Sequence, residues 1–421
     1  MNSYRAWIEI NLDALAHNIA SIRASVGEAR RIMLVVKADA YGHGAVAIAR
    51  AAHELGISAL GVGTSSEALE LQSAGLRLPI LVLGTVVEHE LDDCIRHGVH
   101  LGLHSFDRCY SLQERAKSLG RTARVHVNVD TGMGRLGVGP ELAVRLLECV
   151  SESSHLHLAG LMSHISAADG ALDPSAGAQK RRFDAVLGAA RDAGIEPDTV
   201  HLCNSAAIAT GFGDAYDTVR PGIAALGALP RHLPGAAEQR PVLALRSQVV
   251  FLRDIEAGTP VGYESVWRAP RATRIATIAL GYNDGVPWRL SGRGSVLIRG
   301  CRAPIIGRVS MDYTTLDVGH IPGVQVGDVA TLIGRDGAEK ITLQDVADLA
   351  GTIPYEISCS VGPRVARIYL SSNMDLDAIR PFTGPSPPIV HRKHSSCDML
   401  PEPKPEPKPQ PKPQDQGPLG Q

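Results

Sequence analysis

Apolar and polar positions follow two different rhythms along this chain. Up to about residue 220, short apolar runs recur at 32–36, 59–62, 80–83, 99–103, 124–129, 158–163, 200–202 and 218–220. Runs of that length, bounded by turn-forming residues, read as buried strands. Between most of them lie stretches with apolar residues three and four apart, at 66–74, 88–97, 106–119, 141–149 and 178–193. These read as amphipathic helices. Eight strands alternating with helices predict a closed α/β barrel, (β/α)8; a doubly wound open sheet uses the same alternation and is the competing reading. Right-handed crossovers would put every strand's C-terminal end on one face. A further amphipathic helix starts at Asn11, ahead of the first strand.

After Pro230 the rhythm shortens. Runs at 242–252, 273–280, 294–299, 305–309, 313–318 and 328–333 are separated by Gly and Pro turns and lack long helices, which predicts a mainly β C-terminal domain. One helix is expected at 342–350, with Thr342 as its N-cap. From about residue 372 the pattern is lost, and Pro401-Glu402-Pro403-Lys404-Pro405-Glu406-Pro407-Lys408 cannot form a core. The expected organisation is therefore a barrel over 1–236, a β-rich domain over 237–371 and a Pro-rich disordered tail over 372–421.

Composition narrows the function classes. With 421 residues, 44% hydrophobic and 20% charged, the chain has the make-up of a water-soluble enzyme of more than one domain. A net charge of -2 gives no electrostatic case for nucleic acid or an anionic membrane. No apolar stretch nears the ~20 residues that span a bilayer, and the first residues lack a signal-peptide pattern. Seven cysteines without a Cys-x-x-Cys give neither a disulfide framework nor a zinc site, which fits a reducing compartment. The expected location is cytoplasmic. The histidines at 53, 89, 97, 100, 104 and 126 show no metal-ligand spacing and read as surface or satisfied core residues, so no metal is expected.

The chemistry gathers at strand ends. Lys37 follows Ile32-Met33-Leu34-Val35-Val36 and precedes Ala38-Asp39-Ala40-Tyr41-Gly42-His43-Gly44. A lysine above an apolar core can lose part of its basicity to desolvation and become a nucleophile toward a carbonyl cofactor such as pyridoxal phosphate. The plainer alternative is a lysine snorkelling into water. Beyond other strands stand Asp130-Thr131-Gly132-Met133-Gly134-Arg135-Leu136-Gly137, then His164, Asn204-Ser205 and Arg220-Pro221-Gly222-Ile223. The loops after barrel strands seven and eight commonly hold a phosphate, and Ser205, Gly222 and Ile223 suit that task.

Taken together with Trp7-Ile8-Glu9-Ile10-Asn11-Leu12, His201-Leu202-Cys203-Asn204-Ser205, Gly307-Arg308-Val309-Ser310-Met311-Asp312 and Ile353-Pro354-Tyr355-Glu356, these motifs resemble alanine racemase, from about residue 5 to 370. The resemblance implies a pyridoxal 5'-phosphate enzyme that interconverts L- and D-alanine in a homodimer. It makes Lys37 the Schiff-base lysine and Tyr263 the second catalytic residue, delivered by the partner subunit. Two acid–base groups on opposite faces of one planar carbon are what racemisation requires. It further implies that His164 hydrogen-bonds the tyrosine, that Arg220 faces the ring nitrogen, and that Tyr41, Ser205, Gly222, Ile223 and Tyr355 hold the phosphate. Arg135 and Met311 would meet the substrate carboxylate, and Asp169, Tyr282, Arg289 and Arg308 would line the entrance. The family's usual purpose is D-alanine biosynthesis for the cell wall; catabolic or antibiotic-related roles are equally open.

One position departs from the family pattern. Many members carry a carbamylated lysine two residues before the Asp-Thr-Gly, where this chain has Asn128. Asparagine brings no negative charge to Arg135. Either a small anion such as chloride takes the carbamate's place, or Asn128 bonds Arg135 directly. The change also leaves open a serine or broad-specificity racemase. Ala225-Leu226 stands where a Leu-Tyr pair is usual.

Overall fold

A computed structural model of the chain describes residues 4–166, 173–213 and 215–379. Eight parallel strands close into a barrel: β2 (Arg31–Val35), β3 (Ala59–Val62), β4 (Ile80–Val82), β5 (His100–Leu103), β6 (Ala123–Asn128), β7 (Leu156–Met162), β8 (Val200–His201) and β9 (Thr218–Val219). Closure comes from β9 returning to β2, with Arg31 opposite Thr218 and Ile32 opposite Val219. The expected barrel is thus the observed one, and the open-sheet alternative falls. Both faces of these strands are covered, which is why they read as continuous apolar runs. Met33, Leu81 and Met162 form a small inner cluster across the barrel. It divides the interior into an upper cavity at the strands' C-terminal ends and a lower cavity at the opposite mouth.

The helices lie where the periodicity places them, with start signals at their ends. Ser65–Ser73 is preceded by a capping box in which Thr64 and Glu67 satisfy each other's backbone N–H groups. The helix Leu343–Ala350 has the same device in Thr342 and Asp345.

The second region is a nine-stranded sheet ordered Glu339–Ile341, Val329–Asp336, Ser295–Ile298, Cys301–Ile306, Thr314–Asp317, Thr273–Ile278, Leu243–Ile255, β1 (Ala6–Asn11) and Ala366–Leu370. The position of β1 differs from the expectation that counted residues 1–236 as barrel. It pairs antiparallel with Leu243–Ile255 and parallel with Ala366–Leu370, so the N-terminal segment is built into the C-terminal sheet. Asn11 then ends the strand and caps the helix Leu12–Val26, its Oδ1 accepting from Ala14 N at 2.9 Å. The tail beyond residue 379 lies outside the described residues. Among the described residues no helix is long and apolar enough to cross a membrane. Two cysteines far apart in sequence meet in space, Cys109 Sγ lying 3.0 Å from Cys149 Sγ.

Candidate active site

The upper cavity, about 670 Å³, is lined by Lys37, Tyr41, Asn128, Arg135, His164, Ser205, Arg220, Gly222, Ile223 and Tyr355. All but two of the residues singled out as catalytic, cofactor-binding or substrate-binding therefore converge on one space. Their elements explain the convergence, because each but Tyr355 ends or follows a barrel strand at the same end, and Tyr355 is brought there by the helix Pro354–Cys359.

Lys37 leaves the barrel directly after β2, and the next four residues take an unexpected shape. Ala38, Asp39, Ala40 and Tyr41 have φ between 50° and 54°, a single turn of left-handed helix made without glycine. Each such residue costs about 1–2 kcal/mol relative to the right-handed form. The strain is held from several sides. Glu67 accepts the Ala38 N–H at 2.6 Å, and Asp39 Oδ1 accepts the Ala45 N–H at 2.8 Å. Gly42 must be glycine, since a Cβ there would lie 2.2 Å from Ser358 O. The turn sends the Tyr41 ring inward against Tyr355, edge to face at 5.9 Å. Burial pushes both phenols up, Tyr355 to about 12, so both act as neutral hydroxyl donors. At Lys37 desolvation, with Arg135 beside it, lowers the ammonium pKa below its ordinary value against the opposing pull of Glu67 and Cys359.

Ser205 and Gly222 meet beneath Tyr41. Ser205 Oγ accepts the N–H of Gly222 at 3.0 Å and of Ala224 at 3.2 Å. A Cβ on Gly222 would lie 2.6 Å from Tyr41 Oη, so glycine lets the phenol rest against the backbone.

Arg220 is buried, only 4% exposed, and has no carboxylate partner among the described residues. Its guanidinium donates to Ser163 O at 2.7 Å, His201 O at 2.8 Å, Leu202 O at 3.1 Å and His201 Nδ1 at 2.6 Å, with His164 Nδ1 at 3.3 Å. Desolvation lowers it to about 10, which leaves it charged at neutral pH. Burial, then the cations Arg220, Arg135 and Lys37, depress His164 to about 3, so His164 is a neutral imidazole.

Arg135 is presented by a loop that Asp130 folds back on itself. Asp130 Oδ1 accepts the N–H groups of Gly132, Met133 and Gly134 at 2.8–3.0 Å, and these bonds outweigh burial to hold its pKa down. At Gly137, φ +117°, a Cβ would strike Asn128 O at 2.8 Å. The Asn128 amide donates to Leu136 O at 3.0 Å and stands 3.3 Å from His104 Nδ1. No Asn128–Arg135 bond forms among the described residues.

Tyr263 and Met311 are elsewhere. They lie in the C-terminal region, 72% and 53% exposed, and neither lines the upper cavity of this chain. Around Met311, Arg364 bridges Asp284 and Asp312, both at 2.6 Å. Near Tyr263, Arg308 pairs with Glu264 at 2.9 Å and stacks over Trp288. Tyr282, Arg289 and Arg308 are likewise absent from the cavity wall, and Asp169 lies outside the described residues. Glu67 was not foreseen as part of the site. The Thr64-x-x-Glu67 spacing signals a helix start, but not that the same carboxylate reaches Ala38.

The comparisons with known proteins agree across the chain. The family models for the alanine racemase N-terminal and C-terminal domains match residues 10–230 and 242–369. The alanine racemase of Geobacter sulfurreducens is 40% identical over 381 residues, 89% of this chain and 99% of the relative. Among solved structures, alanine racemase from D-cycloserine-producing Streptomyces lavendulae superposes with a TM-score of 0.83 at 33% identity, covering 90% of this chain and 100% of that one. Alanine racemase from Bartonella henselae, with covalently bound pyridoxal phosphate, gives 0.78 at 30% identity, over 87% of this chain and 100% of that one.

Proposed function

The chain belongs to the alanine racemase family, and from that premise we propose that it interconverts L- and D-alanine with pyridoxal 5'-phosphate by a two-base exchange between Lys37 and Tyr263. The observation that carries this reading is the convergence of Lys37, Arg220 and the Ser205–Gly222 cradle on one cavity. The residues fit the cofactor: a less basic amine, a fixed cation and neutral hydroxyls over a backbone turn match its carbonyl, ring nitrogen and phosphate. When bound, the cofactor would supply an electron-withdrawing ring that acidifies the amino acid's α proton.

The chain's own residues do the rest. Tyr41, Tyr355 and Ser205 hold the phosphate with the backbone of Gly222 and Ile223. Arg220 donates to the ring nitrogen without surrendering its proton, because it stays charged. Arg135 orients the substrate carboxylate. Lys37 takes or returns the proton on the D face of Cα, and Tyr263 on the L face. His164, neutral and adjacent to Arg220, is the hydrogen-bond partner for the incoming tyrosine.

Tyr263 and Met311 serve the partner's cavity in a homodimer. Their exposure, together with that of Tyr282, Trp288 and Tyr313, supports this reading, since such a group of aromatics is costly to leave in water. A chloride-sized anion beside Asn128 and Arg135 belongs to the same reading. Its support is that Asn128 is engaged with Leu136 O while Arg135 has no acidic partner among the described residues. Activity that is indifferent to replacing chloride by gluconate would remove the anion from the scheme.

The deciding experiment incubates purified, cofactor-loaded protein with single L-amino acids in deuterated water. Deuterium at Cα together with the D-isomer, highest for alanine, is the expected result. Greater turnover of L-serine would move the substrate, and no exchange with any amino acid would end the racemase reading.

A further inference from the structure

Arg220 is the upper end of a line of imidazoles that crosses the barrel. His201 Nε2 stands 2.8 Å from His126 Nδ1, and His126 Nε2 stands 3.0 Å from His100 Nδ1. His201 and His126 are buried, whereas His100, at the foot of β5, lines the lower cavity of about 1030 Å³. The line passes beside the Met33, Leu81 and Met162 cluster that separates the two cavities.

Its direction is forced. A guanidinium has only donors, so His201 Nδ1 must accept from Arg220 and the His201 proton must sit on Nε2. His201 Nε2–H then donates to His126 Nδ1, which puts the His126 proton on Nε2. His126 Nε2–H donates in turn to His100 Nδ1. All three rings share one tautomer, and a charged ring at either buried link would set two donors against each other. Burial first, then neighbouring cations and imidazoles, holds His126 and His201 well below the ordinary histidine range, which suits a neutral ladder. The backbone makes room for it. A Cβ at residue 160 would lie 2.2 Å from His126 Nδ1, so Gly160 on β7 is the clearance for that ring.

We propose that His126 and His100 are positioning residues for Arg220, acting through His201: the one-way ladder orients His201 Nδ1 as an acceptor, beside the backbone carbonyls, for a buried cation that has no carboxylate, and fixes the guanidinium's orientation toward the upper cavity. The lower cavity is the ladder's solvent end. Aligned hydrogen bonds polarise one another, so removing a distant link weakens the one that touches Arg220. Burying a guanidinium without such compensation is strongly unfavourable. The catalytic consequence rests on the reading that Arg220 faces the ring nitrogen, whereas the ladder itself does not.

The test has two parts. In the full-length, cofactor-free chain labelled with 15N-histidine, two-bond 1H–15N correlations at neutral pH should report the Nε2–H tautomer for His100, His126 and His201. A δ tautomer, or an imidazolium, at His126 or His201 overturns the proposal whatever the enzyme catalyses. In the loaded enzyme, His126→Leu should lower kcat about tenfold with KM for alanine within about twofold. His126→Gln, whose amide can accept from His201 and donate to His100, should recover to within about threefold of wild type. Equal losses in the two variants, or no loss in either, would refute a hydrogen-bonded positioning role.

Discussion

Glu67 Oε1 accepts the backbone N–H of Ala38 at 2.6 Å, while Oε2 accepts that of Gly63 at 2.7 Å, so one carboxylate ties the residue after Lys37 to the end of β3. The same side chain completes the capping box of Ser65–Ser73. A strained left-handed turn persists only where its surroundings over-determine it, and Glu67 is one of those determinants.

Glu67→Gln removes the negative charge and keeps the size. Glu67 raises the Lys37 pKa against desolvation, so losing it should lower that pKa further. The pH dependence of Lys37 acylation in the cofactor-free chain reads this directly, and an upward shift contradicts it. Glu67→Ala should also cost about 1 kcal/mol of stability through the lost cap, seen as a lower urea midpoint.

Gly222→Ala places a Cβ 2.6 Å from Tyr41 Oη. The phenol is the far end of a side chain, so the fold should survive while the phosphate cradle is displaced. Affinity for pyridoxal phosphate should fall about tenfold, or ~1.4 kcal/mol, with little change in unfolding midpoint of the cofactor-free chain. Absorbance titration with the cofactor measures it; unchanged affinity would show that Tyr41 does not need this approach.

The barrel and the cavity were legible from the sequence because both depend on local patterns repeated many times. Each barrel strand's run was found to within two residues at its start, and Ser205, Arg220 and Gly222 follow from the rule that strand ends share a face. Other features were not legible, for separate physical reasons. The strand Ala6–Asn11 joins a sheet whose other members lie more than 200 residues away, a pairing that no local window contains. The left-handed turn is made of Ala, Asp, Ala and Tyr, of which only Asp has any tendency to positive φ; long-range bonds to Glu67 and neighbours impose it. His100 and His126 looked like scattered histidines because their spacing has meaning only across adjacent barrel strands.

Acid should destabilise the chain early. Burial depresses His43 and His100 to about 4 and His164 to about 3, and holds His126 and His201 well below 6.5. As pH falls through 6.5 the unfolded chain takes up protons at these five positions and the folded chain does not. Stability is therefore fully present well above pH 6.5 and falls as pH drops toward 4, by up to about 1.4 kcal/mol per pH unit for each histidine. Urea midpoints at pH 8, 6.5 and 5 should fall slightly across the first interval, by the equivalent of about 0.4 kcal/mol per histidine, and several times more across the second. A midpoint unchanged at pH 5 contradicts neutral burial.

The shared-site reading makes a numerical prediction. If Tyr263 serves the partner's Lys37, a chain with Lys37→Ala and a chain with Tyr263→Phe are each inactive or nearly so, yet they complement. A heterodimer would hold one site with both defects and one site with neither. Random pairing of equal amounts yields half heterodimers, each with one good site of two, so activity should return to about one quarter of wild type. Refolding or exchanging the two variants together and measuring D-alanine formation tests it. Activity that stays at the sum of the separate variants would place Tyr263 and Lys37 in the same chain's site, or Tyr263 outside the chemistry altogether.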